Sequence, residues 1–312
     1  MTDDNTAPPA GVERRDLMAA GAVALAVGLG GAGTAVAQAT TGAASTSAAS
    51  TAAEPGRVVV EQRGSILLIG LDSPRAPHRL DPPMIIGLGT AYYQLEHDDR
   101  LRVAVLHSIR PNFCAGLDVP AFVAAQAAGI LPPKDPEFIN PLGLKLPIRT
   151  KPVVVAVQGL TTLVGDELFL SADVRVASHD TIFGQFEVAR GVFPGGGATI
   201  RLTREAGWGN AMYHMLTGEE WNAEEAWRLG LVQALTPPGK QLDRAIEIAA
   251  KIAAAAPLGV RATLASAHQA ISGEKPAILA LGPAFAKILQ SDDAKEFQRA
   301  TQEHRAPVYR GI

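Results

Sequence analysis

The chain has 312 residues, 47% of them hydrophobic and 19% charged, and 28 Lys+Arg stand against 31 Asp+Glu for a formal net charge of −3. That composition is ordinary for a soluble globular protein; it excludes a disordered chain, and it lacks the basic excess that would steer a nucleic acid onto it. The single cysteine, Cys114, excludes an intrachain disulfide and any multi-cysteine metal site.

At the N-terminus, Arg14-Arg15-Asp16-Leu17-Met18 precedes an uncharged Ala/Gly/Val/Leu run from Ala19 to Ala37. The run closes on Ala35-Val36-Ala37 and Ala37-Gln38-Ala39, two small-x-small cleavage patterns. Residues 1–39 therefore read as a twin-arginine-type export signal, with Glu13 and Leu17 where Ser/Thr and Phe are usual. The glycines weaken the run as a membrane span. The expectation is an exported protein, periplasmic or secreted, with no stable membrane association after cleavage; the alternative is a cytoplasmic protein whose signal is not used. Cleavage would remove two of the 28 basic and four of the 31 acidic side chains, leaving a charge near −1. Residues 40–55 are an Ala/Ser/Thr-rich linker that buries too little apolar area to fold. The remainder, roughly 255 residues, suffices for one large single-core domain.

From Arg57 the pattern turns to short β-rich apolar runs at Val58 to Gln62, Ser65 to Leu71, Val103 to Ser108, Val153 to Val157 and Val174 to Ala177, which predict strands. Helix-length segments lie between them at Pro83 to His97 and Pro120 to Ala128, so the strands should be parallel with helical crossovers. Pro132 to Pro141 is proline-rich and predicts an exposed loop. Gly159 to Gly165 predicts a loop and Asp166 to Ser171 the start of a helix. Gly195-Gly196-Gly197 lacks the Lys-Ser/Thr of a phosphate loop and reads as a turn opening a helix from Thr199 to Ala206. Asn222-x-x-Glu225 is a capping box opening Ala223 to Leu229. Apolar-periodic helices follow at Leu242 to Ala255, Leu258 to Ile271 and Ile278 to Leu289. There is no internal repeat.

The chemistry concentrates in residues 152 to 197, where Glu167 and Glu187 sit in otherwise apolar sequence. Two such carboxylates can divide acid and base roles between them. Glu167 falls in a helical first turn, beside orphan backbone N–H groups that favour negative charge. The plainer alternatives are a helix cap for Glu167 and an ion pair to Arg190 or Arg175 for Glu187. Cys114 reads as a small buried filler rather than a nucleophile. The seven histidines, His107, His179 and His214 among them, show no metal-ligand spacing, so no metal site is expected.

Several separate motifs then resemble one family. Asn112-Phe113-Cys114-Ala115-Gly116-Leu117-Asp118 resembles the Phe-x-Ala-Gly-x-Asp loop of the crotonase superfamily, the enoyl-CoA hydratase/isomerase proteins. Val157-Gln158-Gly159 with Gly165-Asp166-Glu167-Leu168 is similar to its Val-x-Gly…Gly-x-Glu-Leu segment, and Phe183-Gly184-Gln185-Phe186-Glu187 with Gly191 to Gly195 to its Phe-Gly-x-x-Glu…Gly-x-x-Pro-Gly block. Leu216-Thr217-Gly218, Ala223 to Val232 and Glu303 to Pro307 extend the likeness to the C-terminus.

The resemblance implies an α/β fold, a crotonase-like spiral of ββα units over residues 56–256 with a helical C-terminal extension for trimerisation over 257–312, assembled as a homotrimer or homohexamer. It implies an acyl-CoA-type small molecule as substrate, with CoA carried as part of the substrate and no separate cofactor. Glu167 and Glu187 would be catalytic, the backbone N–H groups of Leu117 and Val164 the oxyanion hole, and Ala115, Gly116, Asp118 and Gly165 would bind substrate. The implied reaction is hydration of an acyl-CoA double bond. Isomerisation, or an exported protein that hydrolyses or binds a non-CoA carbonyl compound, are the alternatives. The chain departs from the family at Leu163 and Val164, which replace glycines and so should stiffen and crowd the approach of a carbonyl. Pro120 and His304 replace common basic residues, and Asp166 adds a third carboxylate beside Glu167.

Overall fold

A computed structural model of the protein describes residues 54–131, 133 and 135–312; the expected signal at 1–39 and the linker up to residue 53 lie outside the described residues. A six-stranded sheet forms the frame: β1 (Arg57–Arg63), β2 (Ile66–Asp72), β3 (Val103–Ser108), β4 (Val153–Val157), β6 (Val174–Ser178) and β9 (Ala234–Thr236), in that spatial order. Only β1 runs antiparallel to its neighbour; the others pair in parallel. The reason is visible in the strands: β2, β3 and β4 are near-continuous apolar runs, and such strands need cover on both faces.

Alternate side chains serve two cores. Leu67, Ile69, Leu71, Leu106, Val155 and Val157 enter the larger one with α1 (Pro82–His97) and α2 (Val119–Ala127). Leu68, Val105, Val154 and Val176 turn to the other face and meet Ala245, Ala249 and Ala253 of α7 (Gln241–Ala254). Alanine every fourth residue lays a narrow stripe along that helix, letting it sit close to the sheet.

The main strands β4 and β6 are each followed by a short extended segment and then a helix. β4 leads into β5 (Leu160–Thr162) and α3 (Val164–Ser171); β6 leads into β7 (Ile182–Gly184), a 3₁₀ turn at Glu187–Arg190 and α4 (Ala198–Glu205). The β5, β7 and β8 (Trp221–Asn222) strands form a second sheet, and single bridges from Leu80 to Leu117 and from Cys114 to Thr161 carry it back to the segments before α1 and α2. This is the ββα spiral that the resemblance implied. The helices α5 (Trp208–Thr217) and α6 (Ala223–Arg228) complete the core, and α8 (Pro257–Ser272), α9 (Glu274–Leu289) and α10 (Asp292–Gln302) form the C-terminal helical region.

The structure corrects two readings and adds two helices, α5 and α10, besides the short strands β7, β8 and β9. Gly159 to Gly165 is not a plain loop, since it contains β5 and the first turn of α3. The proline-rich loop is exposed at Asp135 to Glu137 but buried at Ile139 and Asn140, because the Ile139 N–H bonds Gly89 O at 3.2 Å and Asn140 Oδ1 accepts the Leu142 and Leu144 N–H groups at 3.1 and 3.2 Å. Of the two added helices α10 is the more polar. Its polar sequence lacks the apolar periodicity of the helices before it, yet it is helical, started by Ser291, whose hydroxyl accepts the Ala294 N–H at 3.2 Å. Among the described residues no single helix is long and apolar enough to cross a membrane.

Leu106 lies in the central β3 with no exposed surface. Leu106→Ala is expected to cost about 2–5 kcal/mol of unfolding free energy by denaturant titration, the range for an unrelaxed core cavity.

Candidate active site

Two stretches of backbone are stitched side by side. Cys114 N–H bonds Leu160 O and Thr162 N–H bonds Cys114 O, both at 2.9 Å, while Asn112 Oδ1 accepts the Leu160 N–H at 2.9 Å. The segment His78 to Leu80 closes the other side, with Ala115 N–H on His78 O at 2.9 Å and Leu80 N–H on Gly116 O at 3.0 Å. Gly165 makes the approach possible, since a Cβ there would lie 2.5 Å from Cys114 O. Gly116, at φ +107, takes a conformation L side chains rarely adopt.

Among the N–H groups these contacts leave over are two on facing segments. Leu117 N–H and Val164 N–H donate to no described group, the second because it opens α3, where helical donors have no partner. The Val164 side chain packs into the larger core. Leu163, the residue before it, is held at φ +57 with its Cδ1 2.8 Å from where a Gly116 Cβ would stand.

Glu167, 4% exposed, follows in the first turn of α3. Its Oε1 accepts the Gly196 N–H at 2.5 Å and the Ala198 N–H at 3.3 Å. Gly196 must be glycine, because a Cβ would strike the Glu167 carboxylate. The glycine run read as a helix-opening turn does open α4, and it also holds this carboxylate. That second role is not legible from sequence, and neither is that of Arg201, which bonds Gly196 O at 3.3 Å and lends positive potential to Glu167.

Glu187 opens the 3₁₀ turn, half-buried, and its Oε2 is enclosed without a hydrogen-bond partner. Neither expected ion pair forms: Arg175 bonds Glu205, and the Arg190 guanidinium lies over the Phe186 ring at 4.9 Å. The structure brings the two glutamates within electrostatic reach of each other. Burial pushes Glu167 up to about 7, against the pull of the Ala198 and Gly196 N–H groups. Burial, and then the charge of Glu167, pushes Glu187 up to about 8. A helix terminus offsets such a shift by only about 0.3–1 kcal/mol, whereas desolvating a carboxylate costs several, so burial wins.

The other predicted site residues take framing positions. Ala115 and Gly116 lie in the segment between the single bridges at Cys114 and Leu117. The Asp118 carboxylate is spent on an ion pair to Arg75 and on capping α2 through the Ala121 N–H at 3.3 Å. Cys114 is buried, and burial pushes its thiol up to about 12, as fits a filler. Among the described residues no group of His, Cys, Asp or Glu could hold a metal ion.

A spiral of ββα units with a helical C-terminal region is the architecture of the crotonase superfamily. The family model for enoyl-CoA hydratase/isomerase matches residues 61–311, and the chain belongs to that family. It is 34% identical over 260 residues to enoyl-CoA hydratase EchA19 of Mycobacterium tuberculosis, covering 80% of this chain and 95% of that protein. It is also 34% identical to (E)-benzylidenesuccinyl-CoA hydratase of Thauera aromatica, covering 81% and 99%. Among solved structures, a probable enoyl-CoA hydratase/isomerase from Mycobacterium abscessus superposes with a TM-score of 0.78 at 39% identity, covering 82% of this chain and 98% of that one. The chain is a crotonase-family enzyme.

The raised carboxyls make stability pH-dependent. A carboxyl whose folded value exceeds its unfolded one binds its proton more tightly when folded, so its contribution is complete below about pH 4 and is lost as pH rises through about 7 to 8. Melting temperature is expected to fall between pH 5 and 8.5, and Glu187→Gln to flatten that fall.

Proposed function

We propose that the protein adds water across the double bond of an enoyl-CoA, or removes it in reverse, through an enolate held by the Leu117 and Val164 N–H groups. The observation that carries this is the pairing of buried Glu167 with half-buried Glu187, each with a raised proton affinity and each acting in the other's field. Glu167, with the lower value and two N–H bonds to stabilise its charge, is the base: it holds a water and takes its proton as the water oxygen bonds the β-carbon. The π electrons shift onto the thioester oxygen, where the two N–H groups receive the charge. Preorganised donors of this kind are worth roughly 3–4 kcal/mol each. Glu187, whose enclosed Oε2 has no other donor or acceptor, supplies a proton to the α-carbon as the enolate collapses. Reversal of the two transfers through solvent resets the pair. CoA enters as part of the substrate, and no separate cofactor is needed for the step.

Two further proposals accompany this reading. The exposed Ile278, Leu279, Leu281, Phe285 and Leu289 of α9 support assembly through the C-terminal helices, as a homotrimer or homohexamer. Arg14-Arg15 and the cleavage patterns support export. Mass spectrometry of the N-terminus in cell fractions is expected to find a mature start near Thr40 outside the cytoplasm; an intact cytoplasmic chain would sink the export proposal and leave the catalytic one standing.

Crotonyl-CoA is expected to lose its conjugated absorbance with the purified enzyme, and Glu167→Gln and Glu187→Gln each to slow this by at least about 10²-fold. Unchanged rates in both variants would remove the pair from the mechanism. Leu163→Gly, which clears the space beside Gly116, is expected to raise kcat/KM for bulky relative to short enoyl-CoAs; an unchanged ratio would show that Leu163 does not border the acyl path.

A further inference from the structure

Asp166 is the one acid of this region that the proposed reaction does not use. It has no exposed surface, and it sits between the Val164 N–H and Glu167 in the first turn of α3. Its neighbour across the site is Gln185, equally buried and two residues before Glu187. The Gln185 amide nitrogen donates to Leu163 O at 3.2 Å and to Asp166 Oδ2 at 2.7 Å, which uses both its hydrogens. Because the Leu163 carbonyl can only accept, the amide cannot be turned around. Two oxygens are then left over, Asp166 Oδ1 and Gln185 Oε1, each fully enclosed and each without a partner. Two buried acceptors facing no donor are costly. One proton on the carboxyl removes the problem for both, since an acid and an amide already joined by one N–H bond can close a second, O–H bond in return.

We propose that Asp166 is a third acid of this site: it carries a proton on Oδ1, donates that hydrogen to the Gln185 amide oxygen, and tunes Glu187 from behind the catalytic pair. The proposal rests on the hydratase reading only for its effect on turnover.

The charged groups around Asp166 are few. Glu167 on its own helix and Glu205 of α4 disfavour its ionised form, and Arg175 of β6 favours it, though Arg175 is itself engaged by Glu205. Burial outweighs them and, with the Gln185 bond opposing it, pushes the carboxyl up to about 8. The influence on Glu187 follows from charge: Asp166, once ionised, holds the Glu187 proton on more tightly. In the alkaline range Asp166 loses its proton in company with Glu187, and each ionisation delays the other. The wild-type enzyme thus keeps Glu187 protonated to a higher pH than it would with a neutral residue at 166.

The test is Asp166→Asn, which keeps shape and an acceptor for the Gln185 N–H but cannot ionise. Infrared difference spectra of the wild type minus the variant at pH 6.5 are expected to contain the carbonyl stretch of a buried, hydrogen-bonded carboxylic acid. The variant's melting temperature is expected to fall less steeply between pH 5 and 8.5. The alkaline limb of kcat/KM for crotonyl-CoA is expected to move down by about one pH unit, as removal of a neighbouring negative charge requires; a purely structural residue would lower the whole profile without moving its limb. An ionised carboxylate band in place of the acid band, with an unchanged pH slope of stability, would overturn the proposal. The spectra and the melts decide it even if crotonyl-CoA is not turned over, so its failure and that of the hydratase reading are separable. Asp166→Ser, should the Asn variant fold poorly, removes the same band and the same slope.

Discussion

The site depends on a carboxylate being kept at the buried start of a helix. Glu167 cannot leave the protein for solvent, and it stays because Gly196 brings a backbone N–H to 2.5 Å from its Oε1. With the Ala198 N–H bond at 3.3 Å that contact forms a clasp that links α3, the glycine turn and α4, and Arg201 secures the turn through Gly196 O and Leu142 O. Without it, an acid in so dry a place would be an uncompensated cost. With it, the acid keeps a proton affinity near neutrality, the range in which a group can both take and return a proton.

The rest of the architecture serves to bring partners to that acid. The main sheet delivers β4 and β6 side by side in parallel, and the short strands after them, β5 and β7, pair in parallel as well, so the first turn of α3 after β5 and the 3₁₀ turn after β7 start side by side. One supplies Glu167 and the other Glu187. The second sheet is small, but an aromatic stack anchors it, with Phe183 between Phe169 and Trp221 at centroid distances of 4.8 and 5.9 Å. The strain seen at Leu163, with its left-handed φ, sits where three such constraints converge: its N–H is bound to Gly184 O at 2.8 Å, its carbonyl is held by Gln185, and its side chain lies on Gly116.

Much of this is legible in the sequence because it follows from simple periodicity. β3 and β4 can be read to the residue, since a fully buried parallel strand is an unbroken apolar run. The helices α1, α7 and α8 are legible to within a residue or two at each end. What escapes are elements shorter than any period. β5 and β7 are three residues each and take their order from the bridge to Cys114 and from each other, not from their own composition. α10 escapes because its helical face is polar nearly throughout. At the site, the glutamates stand out as acids in apolar sequence. The Gly196 N–H, Arg201 and Gln185 do not, because each acts on a residue distant along the chain, through a fold that no local pattern records. Val164 packs its side chain into the larger core, a placement likewise set by the course of α3 rather than by local pattern.

The central claim is that this site directs water to the β-carbon of an enoyl thioester. The direct measurement is mass spectrometry of the product formed from crotonyl-CoA in water carrying the heavy oxygen isotope. The account predicts an intact CoA thioester with one heavy oxygen on its acyl chain. Label in a free carboxylic acid with CoA released, or a shifted double bond with no label taken up, would contradict it.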